Sequence, residues 1–474
     1  RHQQTHTLHC MLVRALHGLR STLPWPRLSA AGLSARPSVR PLARLCRQET
    51  LAMSQSVESG PAVHYSAALT SIDASQYEAQ LATKVAWLET LFQDLEHPPF
   101  AIHRSEPENF RMRTEFDVWH SGDSLEFQMF EKDPKTGERR PVRVDQFPVA
   151  SKLCNSLMTA LLRELPLCQE LRSKLFQVNL HTTLSGQAMV TLLYHRKLGD
   201  AWQEAAQKLR VCLGDLASPI HIIGRSRGQK ICLDADEVEE TLTVEGQTLR
   251  YVQVEANFSQ PNAGISVQML AWARRAAQGS GARDLLELYC GNGNFTAALA
   301  PRFRRVVATE VSKRSVAAAR RNCAQNGVNN VFLARMRSEE FTEAWRTGGK
   351  KERLKGLDLV ECDFQTLLVD PPRAGLDPDT LQLLHEFDNV IYISCNPETL
   401  HANLVAVKDT FDIVEYAVFD QFPWTPHIES GVYLQRKAGA PRPPKSSSIP
   451  DVAPENTAAP QGVKRKAEGI EVAS

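Results

Sequence analysis

The spacing of apolar positions divides the chain into two patterns. From Gln76 to about Val254 the periods are mixed. Tyr77 to Leu95 and Lys152 to Leu162 place apolar residues near helical spacing. Phe110 to Val118, Leu125 to Phe130, Phe176 to Leu180 and Met189 to Leu193 alternate as strands do. This half predicts an α+β domain. From about Asn257 to Lys437 the period changes: the short apolar runs DLLELY, RVVATE, TLLVD and NVIYIS alternate with helical segments. That alternation predicts a parallel sheet with crossover helices. The expected organisation is thus a leader over residues 1–75, a smaller α+β domain over 76–256, an α/β domain over 257–437 and a tail over 438–474.

The two ends have the composition of segments outside the folded body. The first fifty residues are rich in Arg, Ser, Ala and Leu, contain no lysine and have Glu49 as their only acid. This is the composition of a mitochondrial or plastid transit peptide, with an amphipathic Arg-bearing start near Met11 to Arg20. A translated leader ahead of an internal start at Met53 is the cytoplasmic alternative. The tail is rich in Pro, Ser, Lys and Ala and holds one short basic run, Lys464-Arg465-Lys466.

Composition narrows the classes. A formal net charge of +1 over 474 residues gives no global basic signature, so a nucleic-acid surface has to come from a local patch. The ten cysteines are scattered with no C-x-x-C pair, which predicts free thiols in a reducing compartment and neither a zinc finger nor an iron–sulfur cluster. No window approaches the roughly 18 to 20 consecutive apolar residues of a spanning helix, so no membrane role is expected.

The run LLELYCGNGNFTAALA places a strand, then Gly291-Asn292-Gly293, then a helix beginning near Phe295. In a doubly wound sheet this first strand-to-helix turn lets a nucleotide-like ligand approach the backbone. The second strand ends at Glu310, where an acid can accept hydrogen bonds from both ribose hydroxyls. The spacing suits a dinucleotide or S-adenosylmethionine. Thr296 stands where a dinucleotide site has its third glycine, which counts against the former.

LLVDPPRAGLD ends a strand on Asp370, and two prolines then fix the chain direction, presenting Asp370 and Arg373 over the cleft. Enzymes that methylate exocyclic amines also use such a loop. The next strand, in IYISCNPETL, delivers Cys395 to the same edge. A cysteine after a strand is usually core; here it stands at the strand's end, before Asn396-Pro397 and beside a DPP loop. Late in the chain, DQFPWTPHIESGV leans Glu429 toward the same cleft. His427 and Glu429 could also serve as metal ligands, but no third ligand is evident, and no metal is expected.

Taken together, NFSQPNAG, LLELYCGNGNF, ATEVSKRSVAAAR, LLVDPPRAGLD, IYISCNPETL and DQFPWTPHIESGV resemble the bacterial-type tRNA (uracil-5-)-methyltransferase family. YEAQLATKV, FRMRTEFDVWH, SKLFQVN and LLYHRKL extend the resemblance back to Gln76. It implies a Rossmann-like class I methyltransferase domain preceded by an RNA-binding domain. It also implies S-adenosylmethionine as methyl donor, and C5 of uridine-54 in the tRNA T-loop as target. Carried over by motif, the cofactor contacts would be Gln260, Tyr289, Asn294, Glu310 and Asp370, the nucleophile Cys395 and the base Glu429. For RNA, Arg111, Arg113 and Arg373, with Arg139, Arg140 and Arg143, are candidate phosphate contacts, and Phe176 a candidate stacking platform. The expected partner is tRNA, bound by a monomer. A tRNA-binding or tRNA-folding factor and an exocyclic-amine methyltransferase are the competing readings.

Overall fold

The computed structural model describes residues 69–132, 138–348 and 351–442. Residues 1–68 and 443–474, with most of the leader and tail and the targeting expectation attached to the leader, lie outside them.

The opening helix, Tyr77–Leu91, buries Tyr77, Leu81, Lys84 and Leu88. These positions form one stripe at spacings of four and three, and one of them is a lysine. β1 (Ala101–His103) follows. β2 (Arg113–Ser121), β3 (Ser124–Lys132), β4 (Arg139–Arg143), β5 (Leu175–Thr182), β6 (Ala188–Tyr194), β7 (Ile220–Ser226) and β8 (Gln229–Cys232) then build a seven-stranded sheet ordered β4-β3-β2-β5-β6-β7-β8. Only β6 and β7 are parallel, joined through the helix Asp200–Leu213. Alternation along β2 buries Phe116 and Val118 in one cluster with Leu157 and Leu161 of the helix Lys152–Glu164, and leaves Asp117 and Trp119 exposed on the other face.

β9 (Glu237–Val244) and β10 (Gln247–Val254) form a hairpin. Its two turn residues, Glu245 and Gly246, both have positive φ, as the tightest hairpin turns require. The hairpin is tied to the helix Lys313–Gln325, where Asn322 Oδ1 accepts from the Val252 amide at 2.7 Å and Arg321 makes two 2.6 Å bonds to Glu237.

β11 (Asp284–Leu288), β12 (Arg305–Thr309), β13 (Val331–Ala334), β14 (Phe364–Val369), β15 (Asn389–Ser394), β16 (Phe411–Phe419) and β17 (Glu429–Arg436) join β1 in an eight-stranded sheet ordered β1-β16-β17-β15-β14-β11-β12-β13. β11 to β15 run parallel, and β17 is antiparallel to both β15 and β16. All five residues of β11 are buried, as the centre of a sheet covered on both faces demands. The chain moves outward from β11 through β12 to β13, then crosses back to place β14 on the other side of β11. That reversal opens a crevice at the carboxyl ends of β11 and β14, the usual ligand position in such sheets.

The halves do not divide at one point. Sequence patterning assigns the opening helix to the α+β half, yet β1 pairs with β16, Ala101 opposite Ala417. Phe92, just past the helix, packs edge-on against Tyr416 at 5.1 Å between ring centroids. β1 therefore belongs to the eight-stranded sheet, and Phe92 packs on it. An amphipathic helix and a three-residue strand carry no local signal of which sheet they join.

Candidate active site

After Leu288 the backbone turns through left-handed conformations at Tyr289, Gly291 and Gly293, with φ of 62°, 57° and 77°. The glycines have different reasons. A Cβ on Gly293 would lie 3.1 Å from the Ala319 Cβ, so the helix Lys313–Gln325 can approach only a glycine there. Beside Gly291 the space is open, leaving its backbone accessible. Glu310 Oε2 accepts from the Gly291 amide at 3.2 Å and Oε1 from the Ser312 amide at 2.7 Å. Each carboxylate oxygen keeps a further lone pair for a ligand hydroxyl. The Tyr289 hydroxyl accepts from Ser338 Oγ at 2.9 Å and donates to Asp377 Oδ2 at 3.3 Å, fixing its ring at the crevice.

Beside this loop lies a small cavity lined in part by Phe258, Ser259, Gln260, Asn292 and Asn294. Gln260 Oε1 accepts from Gln421 Nε2. Asn294 Nδ2 and Gln421 Oε1 are buried without partners. Orphaned buried polar atoms are uncommon in folded proteins; here the donor, on Asn294, lines the cavity, and the acceptor belongs to Gln421, the hydrogen-bond partner of the lining residue Gln260. A ligand with both a carboxylate and an ammonium group, as S-adenosylmethionine has, fits that set.

Strand register brings the reactive groups together. Leu288 lies opposite Val369, and Val369 opposite Tyr392, so Tyr289 and Asp370 emerge side by side at the strand ends. Ser394 pairs with Ser430 in antiparallel register, which sets Cys395 across from Glu429. The Arg373 carbonyl accepts from Asn396 Nδ2 at 2.9 Å and Thr399 Oγ1 at 3.3 Å, pinning the Pro-Pro-Arg loop beside the cysteine. Asn403 completes the clamp: its Oδ1 accepts from the Leu376 amide at 3.2 Å and the Tyr392 hydroxyl at 2.8 Å. Cys395 is half-buried, and Glu429 is 6% exposed.

This crowding has an electrostatic cost. Burial, reinforced by the Glu429 and Asp370 charges and opposed by Arg373, pushes the Cys395 thiol up to about 12. Burial and Asp370 push Glu429 up to about 8, and burial alone takes Asp370 to about 7. Sequence reasoning missed a further member. Glu287, the one acid inside the apolar run LLELY, is 1% exposed, has its Oε2 unpaired and is pushed up to about 8 by burial first. Its signal was a carboxylate at a position where a central strand has none to spare.

These shifts fix a sign. A carboxyl whose folded pKa is raised holds a proton that the unfolded chain has already lost, so folding weakens as pH rises from the unfolded value, roughly 4, through the folded one. For Glu429 that window ends at about 8. A Glu429→Gln variant is expected to unfold at a higher temperature than the parent at pH 8.5, with the gap shrinking toward pH 5. Thermal unfolding of the ligand-free pair across that range checks it, and a gap independent of pH contradicts it.

The RNA candidates divide into interior and surface positions. The Arg111 Nε donates to the Arg113 carbonyl at 2.8 Å, and Arg113 Nη1 donates to the Asn257 carbonyl at 2.6 Å and Ser259 Oγ at 3.3 Å. Both are half-buried. The Arg113 guanidinium ties the seven-stranded sheet to the segment that carries Gln260, while Arg111 bonds within its own strand entry. A short basic run gives no clue to the Arg113 acceptors, which lie more than a hundred residues away. Arg143 pairs with Glu126 at 3.1 Å and Asp145 at 2.9 Å, Arg140 with Glu131 at 3.6 Å, and Arg139 lies over the Phe130 ring at 5.0 Å. Phe176 is not core. It sits at a register break in β5 and stacks on His195, with centroids 3.9 Å apart and planes within 9°. A bulge re-aims a side chain in this way.

Among the described residues no group of three or more His, Cys, Asp or Glu is placed to hold a metal ion, and no helix is long and apolar enough to cross a membrane.

The profile that defines the tRNA (Uracil-5-)-methyltransferase family matches residues 76–437. A tRNA/tmRNA (uracil-C(5))-methyltransferase of Aeromonas hydrophila is 52% identical over 365 residues, covering 77% of this chain and 96% of that protein. The protein of the same name from Colwellia psychrerythraea is 50% identical over 366 residues, covering 77% and 99%. Among solved structures, the Pyrococcus abyssi tRNA (uracil-54, C5)-methyltransferase in complex with S-adenosyl-L-homocysteine superposes with a TM-score of 0.56 at 21% identity, covering 80% of this chain and 87% of that one, a likeness of fold. The Rossmann-like sheet and the match from Gln76 to Lys437 lead to one conclusion: this chain belongs to the tRNA (uracil-5-)-methyltransferase family.

Proposed function

We propose that this protein methylates C5 of uridine-54 in the T-loop of tRNA through a covalent Cys395 adduct. The observation that carries the reading is the β15/β17 register, which sets a cysteine and a buried carboxylate across from each other beside the cofactor crevice. Amine methylation needs neither group. A factor that only bound or folded tRNA would have no use for the pair.

Gln260, Tyr289, Asn294, Glu310 and Asp370 would hold S-adenosylmethionine, whose sulfonium supplies an electrophilic methyl group. Uracil C5 is a weak nucleophile. The Cys395 thiolate forms a bond to C6, and the C5=C6 electron pair moves toward C5 and O4. C5 would then take the methyl group with that pair, while the pair of the broken S–CH3 bond stays on the donor sulfur, which leaves as a neutral thioether. Arg373, the cation that opposes the rise in both the Cys395 and Glu429 values, favours the charged states of nucleophile and base. Asp370, pushed up to about 7, is in part a neutral carboxyl that can donate a hydrogen bond where negative charge develops. Glu429 finally takes the C5 proton. The C–H pair restores C5=C6, and Cys395 leaves C6 with the S–C pair, again a thiolate.

A base inside a folded loop must be extruded to reach Cys395, at a cost of a few kcal/mol. The Phe176–His195 stack, at the register break in β5, would offer a platform whose stacking contributes about 1–3 kcal/mol in return.

Mapping tests the assignment. Unmodified tRNA incubated with the protein and labelled S-adenosylmethionine is expected to gain one methyl group, on C5 of uridine-54, and a cytidine at that position is expected to abolish it. A methyl group on nitrogen, or equal labelling of the cytidine variant, would sink the reading.

A further inference from the structure

The segment that delivers Glu429, residues 420–428, is joined to the opening helix by a buried charge pair that no step above uses. It runs between β16 and β17, includes Pro423 and Pro426, which lack amide donors, and holds Trp424 at φ 66°. Such a segment cannot fix itself through a regular backbone ladder, so its carbonyls need outside donors.

Lys84 supplies them. Its ammonium donates to Asp420 Oδ1 at 2.6 Å, the Phe422 carbonyl at 3.0 Å and the His427 carbonyl at 3.1 Å, using all three of its protons. Both side chains of the Lys84–Asp420 pair are fully buried. The bonds span the segment from its first residue to two residues before Glu429. Gln80, one turn earlier on the same helix, donates to Asp420 Oδ2 at 2.9 Å and accepts from the Trp424 amide at 3.3 Å. The neighbouring Gln421 reaches Gln260 at the cofactor cavity.

A buried ion pair is weak evidence of stabilisation, since apolar residues of similar volume often serve as well or better. A leucine in Lys84's place would continue the helix stripe. What leucine cannot do is hold two carbonyls of a proline-containing segment at fixed positions. We propose that Lys84 is a positioning residue for proton removal: anchored on the helix Tyr77–Leu91, it fixes residues 420–428 so that Glu429 faces Cys395. The inference rests on the reading of Glu429 as the base.

The test separates methyl transfer from release. In single turnovers on ordinary tRNA with a labelled methyl donor, label is counted in the covalent protein–RNA complex and in free tRNA. Because truncating Lys84 alone strands the buried Asp420 charge, the main variant is the double replacement Lys84→Met/Asp420→Leu, with Gln80→Ala as a milder second. Label is expected to enter RNA at the parent rate and to persist in the covalent complex, with release slowed about tenfold to hundredfold in the double variant and less in Gln80→Ala. Binding of tRNA is expected to change less than twofold. Parent-like release in a variant with an unchanged unfolding temperature overturns the inference, as does equal slowing of transfer and release. Should the double variant fail to fold, Gln80→Ala decides by the same criterion. If the parent itself never forms the complex, the reading of the reaction has failed, and that outcome is distinct from failure of the Lys84 assignment.

Discussion

Replacing Cys395 with alanine is expected to lower tRNA methylation by more than about four orders of magnitude while leaving tRNA and S-adenosylmethionine binding intact. In the proposed mechanism Cys395 adds the electron pair that turns C5 into a nucleophile, and no other described side chain at the crevice would replace it. Asp370 and Glu429 are carboxyls, Tyr289 is engaged by Ser338 and Asp377, and Cys290 is buried with its thiol raised well above the ordinary range by burial first. Serine at 395 is expected to fail nearly as fully, since a hydroxyl is a poorer nucleophile than a thiol. The assay is label transfer from S-adenosylmethionine to unmodified tRNA, with binding measured separately. A residual rate within tenfold of the parent would remove the covalent step from the account.

The Glu429→Gln variant should fail later. Glutamine keeps the buried shape of the side chain and removes a charge that raises the Cys395 thiol, so the variant's thiol lies lower and adduct formation is unimpaired. The C5 proton then has no acceptor. Release of methylated tRNA is expected to fall by about 10²–10⁴-fold, and a methylated protein–RNA complex to accumulate on ordinary uridine substrate. In the parent, the release step should quicken as pH rises toward about 8, where Glu429 ionises, and this limb should vanish in the variant. Gel shift under denaturing conditions and rapid-quench release measure the two effects. Loss of adduct and product together would mean that Glu429 acts before methyl transfer.

What the sequence reveals about this site depends on how local each signal is. Gly291, Gly293, Glu310, Asp370 and Cys395 stand at strand ends, and a strand end can be recognised from a few residues of period and a turn. The parallel order of the sheet then brings them to one edge. The roles that escaped depend on distant partners. Arg113 reads as surface charge until Asn257 and Ser259 appear as its neighbours. The helix Tyr77–Leu91 reads as part of the first domain until β1 is seen on β16. Lys84 left one trace, a lysine at a stripe position where the helix buries Tyr77, Leu81 and Leu88. Phe176 was ambiguous because a bulge inverts the face that alternation assigns, and a bulge has no reliable sequence mark.

The most direct measurement of the central claim is trapping with tRNA that carries 5-fluorouridine at position 54, whose C5 has no proton for Glu429 to remove. The parent protein, incubated with this tRNA and S-adenosylmethionine, should form a complex stable to denaturation. Peptide mass analysis should find the peptide containing Cys395 joined to a 5-fluoro-5-methyl-dihydrouridine through sulfur. No stable complex, or attachment through a residue other than Cys395, would contradict the account.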